Sequence, residues 1–284
     1  MPFVNLNEIL PAAKANHYGV GAFNVIGEPF ICGAITAAEK EASPIIIAFA
    51  EVHESYVPLE FVAEMVKYWA QRARVPVALH LDHAKNVDTI IRAIRAGFSS
   101  VMYDGSTTPF ADNVKITQKV VAIAKPVGVT VEAELGILTG VEEVAEGKRP
   151  TEDFYTDPEQ AAEFVEKTGC DALAVSIGTA HGMYTWETML DFNRLQKISE
   201  LVSVPLVLHG GSGLSSNDFR TAISKGISKV NVFTECALAA GRAVREAVND
   251  NSKSFPDFCQ LGQKAIEDLV RSKIRIFGSC GKAV

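Results

Sequence analysis

Residues 44–50 read Pro-Ile-Ile-Ile-Ala-Phe-Ala, an uninterrupted apolar run that predicts a strand buried on both of its faces. Strands of this kind belong to parallel sheets whose two faces are covered. Seven further segments predict strands in the same chain: Gly19–Val25, Val77–Asp82, Ser99–Asp104, Thr130–Glu134, Ala172–Ile177, Leu206–His209 and Lys229–Val232.

Helical patterns lie between the predicted strands, as in Val87–Ala96 and Glu159–Thr168. Eight strands alternating with helices favour an α/β fold of the closed (β/α)8 TIM-barrel type over an open doubly wound sheet. No Gly-x-Gly-x-x-Gly follows the first strand, which counts against a dinucleotide-binding fold. We therefore expect residues 1–284 to form a single TIM-barrel domain with extra C-terminal helices, two of which are separated by a polar break at residues 249–256.

The composition limits the partners of the chain. The net charge is −7 and the sequence pI is about 5.5, so a nucleic-acid partner is not expected. The five cysteines form no Cys-x-x-Cys pair, which favours buried thiols in a reducing cytoplasm. We find neither a signal-peptide pattern nor a run of about 20 apolar residues, so we expect a cytoplasmic protein without a membrane span.

Three histidines lie at or just past the ends of predicted strands. His83 lies in Leu-Asp-His, His181 in Gly-Thr-Ala-His-Gly and His209 in Leu-His-Gly-Gly. The C-terminal ends of barrel strands meet at one face, and three imidazoles with an open position are the ligand set of a catalytic zinc. The pattern therefore predicts a metal enzyme with Asp82 beside its first ligand. His80 precedes Asp82 by two residues, and we expect it behind the ligands or in the core.

The loops after the seventh and eighth strands predict a phosphate site. They read His209-Gly-Gly-Ser212 and Asn231-Val-Phe-Thr234, and these two loops are the habitual phosphate site of the barrel. Glycines allow backbone N–H groups to approach an anion, and hydroxyls donate further hydrogen bonds. No lysine ends a predicted strand, and we expect Lys229 on the opposite face. This argues against Schiff-base chemistry and leaves a metal as the electrophile.

Together these motifs resemble the class II, metal-dependent ketose-bisphosphate aldolases. The segments that carry the resemblance are Leu-Asp-His (81–83), Val-Glu-Ala-Glu-Leu-Gly (131–136), Gly-Thr-Ala-His-Gly (178–182), Leu-His-Gly-Gly-Ser-Gly (208–213) and Lys-Val-Asn-Val (229–232). The chain is most similar to the tagatose-bisphosphate branch, and the resemblance spans nearly all of it. It implies reversible cleavage of a ketose phosphate to dihydroxyacetone phosphate and an aldehyde.

The resemblance also implies roles for individual residues. His83, His181 and His209 would bind one catalytic zinc ion. Asp82 would exchange the proton of the C4 hydroxyl, and Glu142, in a mobile loop at residues 136–153, would move the proton at C3. The residues implied to hold the triose phosphate and its enediolate are Gly182, Gly210, Gly211, Ser212, Asn231 and Thr234.

Further expectations follow from the same resemblance. Asp104 and Glu134 correspond to positions that form an alternative metal site in some members. A phosphorylated sugar is the expected substrate, and a monovalent cation and a homodimer or homotetramer are further family features. The glycine-rich, acidic segment at residues 136–153 is either a mobile active-site loop or a disordered insertion.

The chain departs from the family at the distal end of the substrate. Family members carry Asp-Pro-Arg near the C-terminus, and its arginine grips the distal phosphate, whereas this chain reads Phe255-Pro256-Asp257. A carboxylate repels a phosphate, so we hypothesise a substrate with a changed distal half, such as a ketose 1-phosphate. Arg271 or Arg275 could replace the missing cation. The second strand also ends in Ala-Glu, where the family has a small hydroxyl residue.

Two other functions remain open from the residues. The first is another metal-dependent barrel enzyme, such as a hydrolase, although strand one ends in Phe-Asn-Val (23–25) and not in the His-x-His that many barrel hydrolases carry. The second is a non-catalytic aldolase-like subunit, which would have no need of the three histidines, Asp82 and Glu142.

Overall fold

A computed structural model of the protein describes residues 3–140, 144, 146–184 and 186–283. Within these residues the chain forms nine strands, which are β1 Phe3–Val4, β2 Val20–Asn24, β3 Ile45–Ala50, β4 Val77–Ala84, β5 Ser100–Tyr103, β6 Thr130–Leu135, β7 Ala172–Val175, β8 Leu206–Leu208 and β9 Ile227–Val232.

Ten α-helices lie in the same described part of the chain. They are α1 Leu10–Ala15, α2 Glu28–Lys40, α3 Leu59–Ala70, α4 Val87–Ala96, α5 Phe110–Ala124, α6 Pro158–Thr168, α7 Phe192–Leu201, α8 Ser216–Ser224, α9 Thr234–Ala247 and α10 Phe255–Phe277.

Strands β2 to β9 form a closed parallel barrel with helices between the strands, which confirms the predicted fold. Each strand pairs with its sequence neighbour, and β2 pairs with β9 to close the ring. All eight predicted strands are present, with ends that shift by one or two residues. The two-residue β1, which pairs with the start of β4, was not predicted.

The N-terminal segment closes one end of the barrel. Leu6 and Leu10 pack with Val20, Ile46 and Val207 in an apolar cluster that is separate from the larger core. The larger core lies between the strands and the outer helices. Because the bottom of the barrel is filled in this way, the polar side chains collect toward the C-terminal ends of the strands.

The extra C-terminal helices are also as predicted. α9 ends at Ala247 and α10 begins at Phe255, on either side of the polar break. α10 packs along α2 and α9. The carboxylate of Glu41, which follows α2, accepts hydrogen bonds from Arg271 at 2.8 Å and from Arg275 at 2.8 and 3.0 Å. In the described part of the chain, no helix has the length and apolarity that a membrane span requires.

Candidate metal centre

The end of β4 carries a β-bulge that turns two consecutive side chains toward one site. Between Leu81 and Ala84, β4 has two residues where β5 has only Met102. In a regular strand, Asp82 and His83 would point to opposite faces. The extra residue and the left-handed backbone of His83 (φ 48°) remove this constraint. A non-glycine residue in this conformation is strained, and such strain concentrates at functional sites.

The three predicted histidines converge at the C-terminal end of the barrel. The Nε2 atom of His83 lies 2.7 Å from Nδ1 of His209, and ligand atoms of both lie within 4.8 Å of a carboxylate oxygen of Asp82. The His181 ring centre is 4.9 Å from that of His83 and 6.4 Å from that of His209. The backbone N–H of His181 donates to the carbonyl of Thr139, which fixes the loop after β7.

The electrostatics of this cluster favour a bound cation. Burial, with the charges of His83 and His209 beside it, lowers the pKa of His181 to about 3. Burial likewise lowers the pKa of His209. Burial opposes a charge on His83, but the carboxylates of Asp82 and Asp104 outweigh it and raise the pKa of His83 to about 10. Two imidazoles kept neutral by burial fit a zinc ion, which takes nitrogen ligands in their deprotonated form. The carboxylates that favour a proton on His83 would also favour a bound cation at this place.

Asp82 is held by two amide side chains. Its Oδ2 accepts a hydrogen bond from Asn24 Nδ2 and its Oδ1 accepts one from Asn231 Nδ2, both at 2.9 Å. Burial would raise the pKa of Asp82, but neighbouring His83 and His209 outweigh it and hold this pKa below the usual range. The Oδ1 atom of Asn231 is buried without a hydrogen-bond partner among the described residues. It is therefore free to accept a hydrogen bond from a ligand.

Asp104 and Glu134 lie together behind His83. One ligand atom of each of these three residues lies within 4.8 Å of the other two, and Asp104 Oδ2 is 3.1 Å from His83 Nδ1. Ser106 donates two hydrogen bonds to the other oxygen of Asp104. Glu134 Oε2 has no hydrogen-bond partner in the described part of the chain. The geometry is thus consistent with the predicted alternative metal position.

Glycines allow the loops after β7 and β8 to approach each other. Gly210 has a φ of 68°, and a Cβ atom at this position would lie 2.4 Å from the carbonyl oxygen of Ala180. A Cβ atom on Gly211 would lie 2.6 Å from the carbonyl oxygen of Asn231. Gly182 also has a positive φ, of 101°. Any side chain at position 210 or 211 would therefore push these loops apart.

The predicted phosphate loops meet at the N-terminus of α9. Thr234 is the first residue of that helix, and the Oγ of Ser212 accepts a hydrogen bond from the backbone N–H of Glu235 at 3.3 Å. Glu235 in turn accepts one from Gly213 N–H at 2.7 Å and is bound by Lys273 at 2.8 Å. A helix N-terminus and a glycine-rich loop are a typical anion site, although the carboxylate of Glu235 occupies part of it.

Sequence reasoning missed a buried polar layer beneath the histidines. Glu132 Oε1 lies 2.8 Å from His209 Nε2, and Glu132 Oε2 accepts a hydrogen bond from Lys229 at 2.6 Å. The prediction that Lys229 lies away from the site is therefore wrong. His80 is buried in the same layer, as expected, and its Nε2 atom lies 3.9 Å from Oδ1 of Asp82. The alternation Glu-Ala-Glu was the available signal, because it turns two carboxylates to one side of β6.

Other predicted site residues lie elsewhere. Glu142 is outside the described residues. Asp257 is half-buried, and its carboxylate accepts hydrogen bonds from the backbone and hydroxyl of Ser254, both at 2.7 Å, in the capping box in which Ser254 caps α10. Arg271 and Arg275 bind Glu41 and do not take the place of a distal phosphate grip within this chain. Their partner follows the C-terminal end of α2, at the opposite end of the barrel from the histidines.

The chain matches one family model over almost its full length. The model describes class II fructose-bisphosphate aldolase and covers residues 4–282. Among curated proteins, the fructose-bisphosphate aldolase of Thermus caldophilus is 42% identical over 302 residues, covering 97% of this chain and 98% of the relative. That of Staphylococcus epidermidis is 40% identical over 290 residues, covering 100% of both chains.

A solved structure is similar in the whole fold. The crystal structure of the YdjI aldolase from Escherichia coli K12 matches with a TM-score of 0.90 and 40% sequence identity, and the match covers 99% of this chain and 100% of that one.

Proposed function

The chain belongs to the class II fructose-bisphosphate aldolase family, a family of metal-dependent lyases, and we propose a ketose 1-phosphate or ketose 1,6-bisphosphate as its substrate. Cleavage would give dihydroxyacetone phosphate and an aldehyde, reversibly. The observation that carries the proposal is the convergence of His83, His209 and Asp82 within 4.8 Å. The family match does not favour the alternatives of a hydrolase or a non-catalytic subunit.

His83, His181 and His209 would hold one zinc ion. When bound, zinc supplies a Lewis acid that stabilises negative charge on substrate oxygen atoms. Asp82 takes the proton of the C4 hydroxyl, and the electron pair of the C3–C4 bond passes to C3 as the aldehyde forms. The amides of Asn24 and Asn231 orient the Asp82 carboxylate, and His83 and His209 hold its pKa below the usual range, which keeps it in the ionised form that accepts a proton. A positioned base of this kind contributes about 10²- to 10⁴-fold to rate.

The proton that completes dihydroxyacetone phosphate reaches C3 from Glu142. Asn231 Oδ1 accepts a hydrogen bond from a substrate hydroxyl, because this buried atom has no partner among the described residues. Gly182, Gly210, Gly211, Ser212 and Thr234 bind the phosphate through backbone N–H and hydroxyl groups. A homodimer or homotetramer in the cytoplasm and a monovalent cation remain predictions.

The distal half of the substrate is expected to be uncharged. Asp257 belongs to the capping box at the start of α10, and Arg271 and Arg275, near the end of the same helix, are bound by Glu41. The proposal is supported by the contacts that Asp257, Arg271 and Arg275 already make within this chain, which leave none of them to bind a distal phosphate. We expect a ketose 1-phosphate to be cleaved more efficiently than the corresponding 1,6-bisphosphate.

The test is release of dihydroxyacetone phosphate from a panel of ketose 1-phosphates and 1,6-bisphosphates, each run with and without a chelator. We expect release that the chelator abolishes and added zinc restores. Asp82→Asn keeps the shape of the side chain and should lower kcat about 10²- to 10⁴-fold. Asp88→Asn, an exposed position on α4, is the matched control and should leave kcat unchanged.

Two outcomes would contradict the proposal. Release of dihydroxyacetone phosphate that persists in chelator would show that the reaction needs no metal. A much higher kcat/KM for 1,6-bisphosphates than for every 1-phosphate would overturn the uncharged distal half while leaving the aldolase activity in place.

A further inference from the structure

Lys229 is a fully buried lysine in the interior of the barrel. It is the third residue of β9 and pairs in register with Val20 on β2 and Val207 on β8. Both valines belong to the apolar cluster that closes the bottom of the barrel. The side chain of Lys229 is 0% exposed, so its ammonium group has lost its water and needs a partner inside the protein.

The partner of Lys229 is Glu132, and Glu132 connects it to the metal centre. The ammonium lies 2.6 Å from Glu132 Oε2 and 3.4 Å from His80 Nε2. The second oxygen of Glu132 lies 2.8 Å from Nε2 of His209. All of these side chains are 0% exposed. Lys229, Glu132 and His209 thus form a continuous chain of short contacts that is buried along its whole length.

The contact with Glu132 leaves the other ring nitrogen of His209 facing the site. A carboxylate accepts but does not donate, so the Nε2 atom of His209 carries the hydrogen. Its Nδ1 atom is then the lone-pair nitrogen, and this atom lies 2.7 Å from Nε2 of His83. The hydrogen bond to Glu132 therefore fixes the orientation of the His209 ring and leaves Nδ1 as the nitrogen that faces the metal site.

We propose that Lys229 is a positioning residue, which acts through Glu132 to hold His209 with Nδ1 aimed at the metal. This inference rests on the proposed role of His209 as a ligand. Without Lys229, the Glu132 carboxylate would lose its cationic partner and its fixed place opposite the imidazole. Partners of this kind typically contribute about 10- to 100-fold to metal affinity.

A purely structural role explains the buried pair less well. Barrel interiors are usually filled by branched apolar side chains, and replacing a buried ion pair by apolar groups is often neutral or stabilising. Glu132 Oε1, however, is directed at His209 and not at a backbone group. The arrangement of the pair therefore follows from the ligand that it contacts.

The test is zinc affinity, measured by competition with a chromophoric chelator, for Lys229→Met, Glu132→Gln and the double variant. We expect each single change to weaken zinc binding about 10- to 100-fold and to alter the visible spectrum of the cobalt-substituted protein. The double variant should bind no more weakly than Glu132→Gln alone, because Lys229 acts through Glu132. It also removes both charges, which keeps the test available if Lys229→Met folds poorly.

The direction of the change in zinc affinity distinguishes a positioning role of Lys229 from simple repulsion between its charge and the metal ion. Removing a cation from the neighbourhood of a metal ion should raise affinity by Coulomb's law alone, whereas loss of positioning lowers it. The matched control is Lys40→Met, which breaks the remote Lys40–Glu267 pair at 2.7 Å and should leave zinc affinity unchanged.

Three outcomes would overturn the inference. These are unchanged or tighter zinc binding by Lys229→Met, an unaltered cobalt spectrum, or additive losses in the double variant. A wild-type chain that binds no zinc would instead overturn the proposed function on which the inference depends.

Discussion

Glu132 and Glu134 lie two residues apart on β6, and both are buried, yet their surroundings shift their pKa values in opposite directions. Burial would raise the pKa of Glu132, but Lys229, His80 and His209 outweigh it and hold this pKa below the usual range. Burial and the charge of Asp104 raise the pKa of Glu134 well above the usual range, against the opposing charge of His83.

Since both carboxylates are equally buried, the difference in the direction of their pKa shifts comes from their charged neighbours and not from their depth. Glu132 meets an ammonium at 2.6 Å. Glu134 Oε2 lies 3.5 Å from His83 Nδ1 and has no hydrogen bond within the described residues. Glu132 is thus in direct hydrogen-bond contact with a cation, whereas Glu134 lies beside His83 without a hydrogen bond to its Oε2 and also beside the negative charge of Asp104.

The largest expected effect comes from breaking the Glu132 pair. Lys229→Met leaves a buried charge without its partner, so we expect the metal-free protein to lose about 3–5 kcal/mol in free energy of unfolding. Urea denaturation in the presence of chelator measures this loss. Lys40→Met, whose lysine is half exposed, should cost about 1 kcal/mol or less. Equal losses for the two variants would contradict the comparison.

The second expected effect is a gain in the free energy of unfolding, and it comes from replacing Glu134. Glu134→Gln removes a carboxylate that is costly to ionise, so we expect a gain of about 1 kcal/mol in the metal-free protein at neutral pH. A raised folded pKa penalises the fold only above the unfolded pKa, roughly 4.3. The gain should therefore vanish below that pH and grow as pH rises. Urea midpoints between pH 4 and pH 8 test this, and a gain that instead grows toward acid would refute it.

The smallest expected effect tests how much of the raised pKa of Glu134 is due to Asp104. Asp104→Asn removes the neighbouring negative charge, so the pKa of Glu134 should fall and part of the penalty should disappear. We expect the free energy of unfolding to change by less than about 1 kcal/mol, since the variant also weakens the contact with His83. The same pH series measures it. An unchanged profile would assign the raised pKa to burial alone.

The fold followed from the sequence because apolar runs and helical patterns alternate along the whole chain. The eight barrel strands were predicted because buried parallel strands are continuously apolar. The strand β1 was missed because two residues carry no periodicity. β4 runs two residues beyond its predicted end, to Ala84, because its pairing with β5 resumes after the bulge. β9 begins two residues before its predicted start, at Ile227.

The site was predicted only where topology alone brings residues together. The three histidines converge because strand ends meet at one face. The bulge at His83 was not predicted, because nothing in Leu-Asp-His marks an extra residue in the strand pairing. Lys229 was misplaced because only its backbone position was considered, whereas its long side chain reaches Glu132. Glu142 lies outside the described residues, and its role remains a prediction.

Anomalous diffraction at the zinc absorption edge, from crystals grown with zinc, tests the central claim most directly. We predict one strong peak in contact with His83, His181 and His209, with His209 bound through Nδ1 while its Nε2 still contacts Glu132. A peak only between Asp104 and Glu134, or a His209 ring that binds zinc through Nε2 and has left Glu132, would contradict the account.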